Sequence, residues 1–419
     1  MSGRGDIPDI EVNGRTYPWP ERPVVVLCID GSEPGYIEGA IEAGVAPFFA
    51  KVLAAGTARL ADCVVPSFTN PNNLSIITGA PPSVHGICGN YFLDPDTGGE
   101  VMMNEPRFLR APTLFQAFQA AGATIVTITA KDKLRRLLSH GLEMGTRGIG
   151  FSSELADQAN MVEHGIDGVP ELVDLPVPDV YSAALSGFVL AAGVKIMGSR
   201  RPEIMYLSTT DYIQHKHAPG TPVANDFYAM LDGYLGQLDA MGCTIVATAD
   251  HGMNAKHDKA GAPRVIYLQS LLDEWLGPDL KKNGARVILP ITDPYVVHHG
   301  ALGSYATAYL PNGANFEDIA ARLRAISGME LVLDKAAAAE RFELPPDRLG
   351  DLVMVSVHDH VLGTAAERHD LSGLTEPLRS HGGISEQRVP LLMNRATDLV
   401  EGHALRNFDA FDLALNHAV

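Results

Sequence analysis

Apolar runs of five or six residues, each ending in a polar tip or a glycine, alternate along this chain with stretches of helical period. Val24 to Ile29 is continuous and ends at Asp30-Gly31, and Ile245 to Ala249, between Gly242 and Gly252, ends at Asp250-His251. Glu203–Ser208 opens onto Thr209-Thr210-Asp211-Tyr212-Ile213-Gln214-His215, and Thr124–Ile128 onto Thr129-Ala130-Lys131-Asp132-Lys133. Unbroken β-branched runs of this length predict strands buried on both faces, as in a parallel sheet. Arg59–Val65 reads as a further strand. Between these runs the pattern predicts helices over Ala46–Ala55 (closed by Gly56), Thr113–Ala121, Tyr181–Met197 and Asp226–Met241, and a helical run from Leu74 to Thr78 closed by Gly79. For that last helix Thr69 or Asn70 is placed as N-cap, with Pro71 near its first turn. Strands alternating with helices at this spacing predict an α/β fold, a doubly wound and mainly parallel sheet with helices on both faces.

The pattern is interrupted in four places. Ile10 to Tyr17, with Asn13-Gly14 at its centre, predicts a small hairpin. Residues 86–99 are loop-rich, and residues 150–180 are weakly patterned. From about 266 to 375 the order changes to helix (Gln269–Trp275), two strands (Arg286–Ile291, Ser304–Tyr309), two helices (Asn315–Ile326, Lys335–Phe342) and a strand (Leu352–Ser356). This predicts a smaller α+β cap inserted at 266–375, the core being 1–265 and 376–419. Arg388–Met393 supplies a last core strand, and Asn407 is expected to cap the closing helix.

Composition narrows the function. Of the 419 residues 46 % are apolar and 20 % charged, an ordinary globular balance, while the net charge of −18 argues against nucleic acid or an anionic membrane surface as partner. A small anionic substrate would therefore need a locally reversed field. The cysteines Cys28, Cys63, Cys88 and Cys243 are scattered, three of them in apolar strand-like runs, and are expected to be free buried thiols. Without an apolar leader near Arg4, Asp6 and Asp9, and without a membrane-length run, the expected compartment is the cytoplasm. Assembly stays open, a homodimer among the options.

The polar tips carry the chemistry: Asp30, Asp211 with His215, Asp250 with His251, and later Ser380-His381-Gly382-Gly383. Neighbours on a straight strand face opposite ways, so Asp250 and His251 can serve one site only beyond the strand's end. Asp211 and His215, four residues apart, share a face if that tip makes one helical turn. Carboxylate and imidazole are ligands that zinc accepts, and three of each suffice for two divalent ions. Such a pair can clamp the attacking and leaving groups of a phosphoryl displacement. His298-His299 and His358-Asp359-His360 are rival clusters, read as solvated or lid residues of the insert. Lys131 and Lys133, with Arg135 and Arg136 nearby, form a basic strand tip.

In their order from Asp30 to His381, with Asp-His-Gly-Met at 250–253, these motifs resemble the alkaline phosphatase superfamily. The likeness is to its phosphonoacetate hydrolase and nucleotide pyrophosphatase/phosphodiesterase branch. The resemblance implies one metal held by Asp211, His215 and His381, and another held by Asp30, Asp250, His251 and the Thr69 hydroxyl. It implies that Asn90, in Gly89-Asn90-Tyr91, binds the phosphoryl group, and that His215 also borders the substrate. Thr69 would be the nucleophile, forming a phosphothreonine, its hydroxyl activated by divalent cations and by a helix N-terminus. Lys131 and Lys133 would bind the carboxylate of phosphonoacetate, whose carbon–phosphorus bond would be cleaved to acetate and phosphate. The main alternative is a nucleotide pyrophosphatase or phosphodiesterase with the same metals, for which Tyr91, Phe92 and Tyr212 offer an aromatic slot. A non-catalytic metal-binding protein is the alternative from another class.

Overall fold

In a computed structural model, which describes residues 8–276, 284–291 and 300–419, the apolar runs line up in one central sheet. Its strands are β1 (Val24–Cys28), β2 (Thr57–Asp62), β3 (Ile125–Thr129), β4 (Gly148–Ser152), β5 (Ile204–Ser208) and β6 (Thr244–Thr248). A four-stranded antiparallel sheet intervenes in sequence, formed by β7 (Arg286–Ile288), β8 (Tyr305–Tyr309), β9 (Met329–Asp334) and β10 (Leu352–Ser356) in the order β7-β8-β10-β9. Strand β11 (Arg388–Met393) then completes a seven-stranded central sheet of order β2-β11-β6-β1-β5-β3-β4. From β6 to β4 every pairing is parallel, whereas β11 runs antiparallel to both neighbours.

Alternation along β1 divides the core. Val24, Val26 and Cys28 join one apolar cluster, and Val25 and Leu27 join the other. The second cluster is covered by helices α1 (Pro34–Glu42), α2 (Pro47–Ala55), α5 (Ala184–Arg200) and α6 (Pro222–Ala240). On the first lie α3 (Thr69–Thr78) and the closing helix α7 (Ala410–Asn416), whose Phe411 packs on Phe115 and Tyr206. Helix α4 (Asp132–Leu138) follows β3 directly. No helix among the described residues is long and apolar enough to cross a membrane. All four cysteines are buried and free.

Several sequence expectations need correction. Residues 150–180, weakly patterned, contain most of the edge strand β4. Its sequence Gly-Ile-Gly-Phe-Ser hides the strand because two of five residues are glycine, yet a Cβ at Gly150 would strike the Ser139 hydroxyl. Helix α1 escaped notice because two glycines dilute its apolar face of Tyr36, Ile37 and Ala40. Neither Thr69 nor Asn70 is an N-cap: Phe68 holds that position, with no side-chain cap bond, and Thr69 is the first helical residue. Asn407 does not cap the closing helix either. It sits in a preceding 3-10 turn, and its amide donates to Asn72 Oδ1 (3.0 Å) and the Ala249 carbonyl (3.1 Å).

Candidate metal centre and active site

Parallel register brings the polar tips together. Thr248, Cys28, Ser208, Thr129 and Ser152 form one row across β6, β1, β5, β3 and β4. Two residues beyond that row stand Asp250, Asp30, Thr210, Lys131 and Glu154, at the carboxyl edge where open α/β sheets gather ligands. His381 arrives at the same edge on the loop before β11. Gly382 makes that approach possible, because its φ of +119° is unfavourable for a side chain and a Cβ there would lie 2.5 Å from the Phe68 ring.

Two groups of ligand atoms result, each with its members within 4.8 Å of one another: Asp211, His215 and His381, and Asp30, Asp211 and His251. The tip after β5 does make a helical turn, His215 N–H donating to the Asp211 carbonyl at 3.0 Å, and His215 Nε2 lies 2.8 Å from Asp211 Oδ2. All three imidazoles have Nδ1 against a backbone carbonyl: His215 on Arg379 (2.8 Å), His251 on Gly252 (2.9 Å) and His381 on Ser67 (2.8 Å). With Nδ1 donating, the Nε2 lone pair is left for a cation, and the carbonyl sets the ring's orientation. His251 Nε2 stands 3.2 Å from Asp30 Oδ1, yet both atoms are buried without hydrogen-bond geometry, as expected of ligands aimed at a common third party. Asp250 belongs to neither group, Asp211 standing with Asp30 and His251 instead; its Oδ1 accepts from the Gly31 (3.2 Å) and His251 (3.1 Å) N–H groups.

The electrostatics call for positive charge. Burial, then the carboxylates of Asp211 and Asp250, push the Asp30 carboxyl well above its usual range, and burial raises Asp250 as well. Burial and the neighbouring His251 and His215 hold His381 well below an ordinary imidazole. Burial disfavours a charged His251, but Asp250 and Asp30 outweigh it and raise that ring to about 10. Buried carboxylates and imidazoles this close fit divalent cations, which would relieve the repulsion.

Thr69 opens α3 at the edge of this centre, and Asn90 stands beside it, its Oδ1 accepting the Asn70 N–H at 2.9 Å. That bond turns the Asn90 amide so that Nδ2 is the end left to donate. Sequence reasoning missed Asn73, which ties the parts together. Its Nδ2 donates to Asp250 Oδ2 (3.2 Å) and the Thr69 carbonyl (2.9 Å), while its Oδ1 accepts from Tyr206 (2.7 Å) and Ser208 (3.3 Å). Thr209 was missed too; its hydroxyl accepts the Asp30 N–H at 2.9 Å. Both were hidden because an apolar pattern marks strands and helices, not the polar side chains that brace their ends.

One cavity of about 540 Å³ joins the parts: Asp30, Thr69, Asn90, Asp211 and His381 line it, and so do Lys131, Lys133 and Glu154. Other candidates are drawn elsewhere. Phe92 is buried edge-on against Phe108 (5.0 Å), Tyr91 lines a separate cavity with Arg286, and Tyr212 lines a neighbouring small cavity with Lys216. Tyr181 lines the main cavity. His360 is bound to Asp359 (2.8 Å), and His358 is exposed, offering its carbonyl to Lys256 (2.7 Å). His298 and His299 lie outside the described residues.

Comparison with known proteins identifies the family and the fold. The family model for type I phosphodiesterases/nucleotide pyrophosphatases matches residues 24–383. A solved structure of phosphonoacetate hydrolase from Sinorhizobium meliloti, in complex with phosphonoacetate, is similar over 98 % of this chain and 99 % of that one, with 58 % identity and a TM-score of 0.94. Its complex with phosphonoformate matches at 59 % identity with the same TM-score of 0.94. Murine ectonucleotide pyrophosphatase/phosphodiesterase 5, at 18 % identity and a TM-score of 0.62 over 95 % of this chain and 96 % of that one, shares the fold. Among curated relatives, an uncharacterised pyrophosphatase/phosphodiesterase of Schizosaccharomyces pombe is 24 % identical over 60 % of this chain and 49 % of its own length. A phosphonoacetate hydrolase of Penicillium oxalicum is 64 % identical over 7 % of this chain and 43 % of its own length. The chain thus spans less than half the length of each of these curated relatives.

Proposed function

This chain belongs to the type I phosphodiesterase/nucleotide pyrophosphatase family, and we propose that within it the protein is a two-metal hydrolase of phosphonoacetate, yielding acetate and phosphate through a phosphothreonine at Thr69. The observation that carries the reading is the single cavity that joins the Asp/His centre to the paired ammonium groups of Lys131 and Lys133. The S. meliloti phosphonoacetate hydrolase, similar over nearly its whole length, supports the same substrate. In an acidic chain, a lysine pair in the same cavity as a metal centre suits a small molecule bearing a phosphonate at one end and a carboxylate at the other.

One ion would be held by Asp211, His215 and His381, the other by Asp30, Asp250, His251 and the Thr69 hydroxyl, with zinc favoured by the mixed imidazole and carboxylate donors. When bound, two divalent ions supply positive charge that lowers the hydroxyl pKa and neutralises phosphonate oxygens. Thr69 Oγ1, at the start of α3, gives its proton to solvent and attacks phosphorus, and the helix N-terminus favours the negative charge gathering there. Asn90 Nδ2 donates to a non-bridging oxygen. As the carbon–phosphorus bond breaks, its electron pair enters the carboxymethyl group, where Lys131 and Lys133 stabilise the enolate until a solvent proton yields acetate. Water then hydrolyses the phosphothreonine, releasing phosphate and restoring the hydroxyl. Ile291, which falls in the insert expected at 266–375, also lines the cavity.

A phosphate-release panel over phosphonoacetate, other phosphonates and nucleotide esters, with metal analysis of the same sample, tests this reading. Phosphonoacetate should turn over fastest with about two divalent ions per chain. Faster turnover of a nucleotide ester would shift the reading to the diesterase alternative. A metal content near zero in active protein would end the two-metal mechanism.

A further inference from the structure

Beside the two lysines stands a carboxylate that the mechanism above does not use. Strand register brings it there. Thr129 of β3 pairs with Ser152 of β4, and the ladder continues past both strands, Ser153 N–H donating to Thr129 O (2.9 Å) and Glu154 N–H to Ala130 O (3.1 Å). Glu154 is therefore delivered alongside Lys131. Its Oε2 accepts the Asp132 N–H at 2.9 Å, on the backbone between the two lysines and at the first residue of α4. Glu154, Lys131 and Lys133 all line the cavity. The acid between the lysines is engaged elsewhere, its two oxygens accepting from Arg135 and Arg136.

We propose that Glu154 is a specificity-determining residue that limits the charge accepted beside the two lysines. The inference rests on the phosphonoacetate reading. Glu154 sets one negative charge beside the ammonium groups of Lys131 and Lys133. A second phosphoryl group, carrying about −1.5 to −2 at neutral pH, places more charge against Glu154 than a carboxylate does. The bond from Oε2 to the Asp132 N–H has a second effect, since it fixes the backbone on which both lysines stand. Glu154 thus selects a carboxylate over a second phosphonate by repulsion, while Lys131 and Lys133 supply the attraction.

The test compares Glu154→Gln, which keeps an oxygen for the Asp132 N–H but loses the charge, with Glu154→Ala, which loses both. Phosphonoacetate and methylenediphosphonate serve as competitors against hydrolysis of bis-p-nitrophenyl phosphate, a diester with no carboxylate, with metal in excess. In Glu154→Gln the inhibition constant of methylenediphosphonate should fall about tenfold while that of phosphonoacetate falls by about threefold or less, a change in preference that general damage, which weakens both, cannot produce. In Glu154→Ala phosphonoacetate should weaken by about tenfold, and Gln should rescue that loss. If Glu154→Gln changed both competitors by the same factor, weakened methylenediphosphonate, or changed neither, the assigned role would be overturned. Wild-type protein that releases no phosphate from phosphonoacetate would overturn the substrate reading instead, a result the competition assay distinguishes because it needs no phosphonoacetate turnover.

Discussion

The imidazoles of His251 and His381 lie face to face, their centroids 3.5 Å apart and their planes 5° from parallel. Two imidazolium cations so placed would repel, so the stack requires at least one neutral ring, the state in which imidazole ligates a metal. It also locks the tip of β6 to the loop before β11, although 130 residues separate them in sequence (381 − 251). His381→Ala would remove a proposed ligand and the ring on which His251 stacks. Metal content and turnover should fall together, with metal affinity lower by at least about 10–100-fold, measured by metal titration of the purified variant. Full activity in that variant would move the centre elsewhere.

Thr69 should be separable from folding. Phe68 occupies the N-cap position of α3, so the Thr69 hydroxyl has no capping role to lose. Thr69→Ala is expected to keep its stability within about 0.5 kcal/mol and to lose turnover by about 10³-fold or more, with Thr69→Ser retaining part. Acid-quenched enzyme labelled with substrate phosphorus should carry a phosphothreonine in the wild type and none in Thr69→Ala. Wild-type turnover in the alanine variant would point to direct attack by water.

The lysine pair predicts a substrate-dependent loss. Each charge-assisted contact to a carboxylate is worth about 1.5–3 kcal/mol, so Lys131→Ala and Lys133→Ala should each lower kcat/KM for phosphonoacetate roughly 10–150-fold. Hydrolysis of a carboxylate-free aryl phosphate ester should change far less. Equal losses on both substrates would show that the lysines act on the phosphoryl group or on folding.

A buried ion pair makes one stability pH-dependent. Lys256 Nζ lies 2.8 Å from Glu386 Oε1, both side chains fully buried. Glu386 also accepts the Gly383 N–H on Oε2 (2.9 Å), and its backbone carbonyl accepts the Gly252 N–H (2.8 Å), so it braces the loops carrying His381 and His251. Burial works to raise the Glu386 carboxyl, but Lys256 and the hydrogen bonds of Ser385 and Asn254 outweigh it and hold the group below its ordinary 4.5. A carboxyl lowered by folding contributes stability that is present above the unfolded value and lost as pH falls through the folded one. Wild type should therefore be more stable than Glu386→Gln from about pH 5 to pH 8, and the gap should close on acidification toward about pH 3 in parallel thermal melts. A gap independent of pH would mean that shape, not charge, makes the difference.

Much of the fold is local information and was legible in the chain. An unbroken apolar run such as Val24–Ile29 must be buried on both sides, and a polar tip such as Asp30 must then emerge at the sheet's edge. The same logic marked Asp211, Asp250 and Lys131, and a spacing of four marked His215. The edge strand β4 was not legible because Gly148 and Gly150 break its apolar run, and with it went Glu154, whose place depends on pairing with β3.

Asn73 and Glu386 were hidden for another reason. Their worth lies in what they touch: Asp250 and Tyr206 for the one, Lys256 and the backbone of Gly383 for the other. Thr69 shows the division most clearly. Its position before Asn-Pro suits an N-cap by local preference, and only the folded chain puts Phe68 there and leaves the Thr69 hydroxyl at the cavity edge. Sequence by itself determined which segments are buried and which residues stand at their ends, because periodicity and burial act over a few neighbours. Strand register and loop approach decided which of those ends meet, because contacts between residues hundreds of positions apart exist only once the sheet has paired.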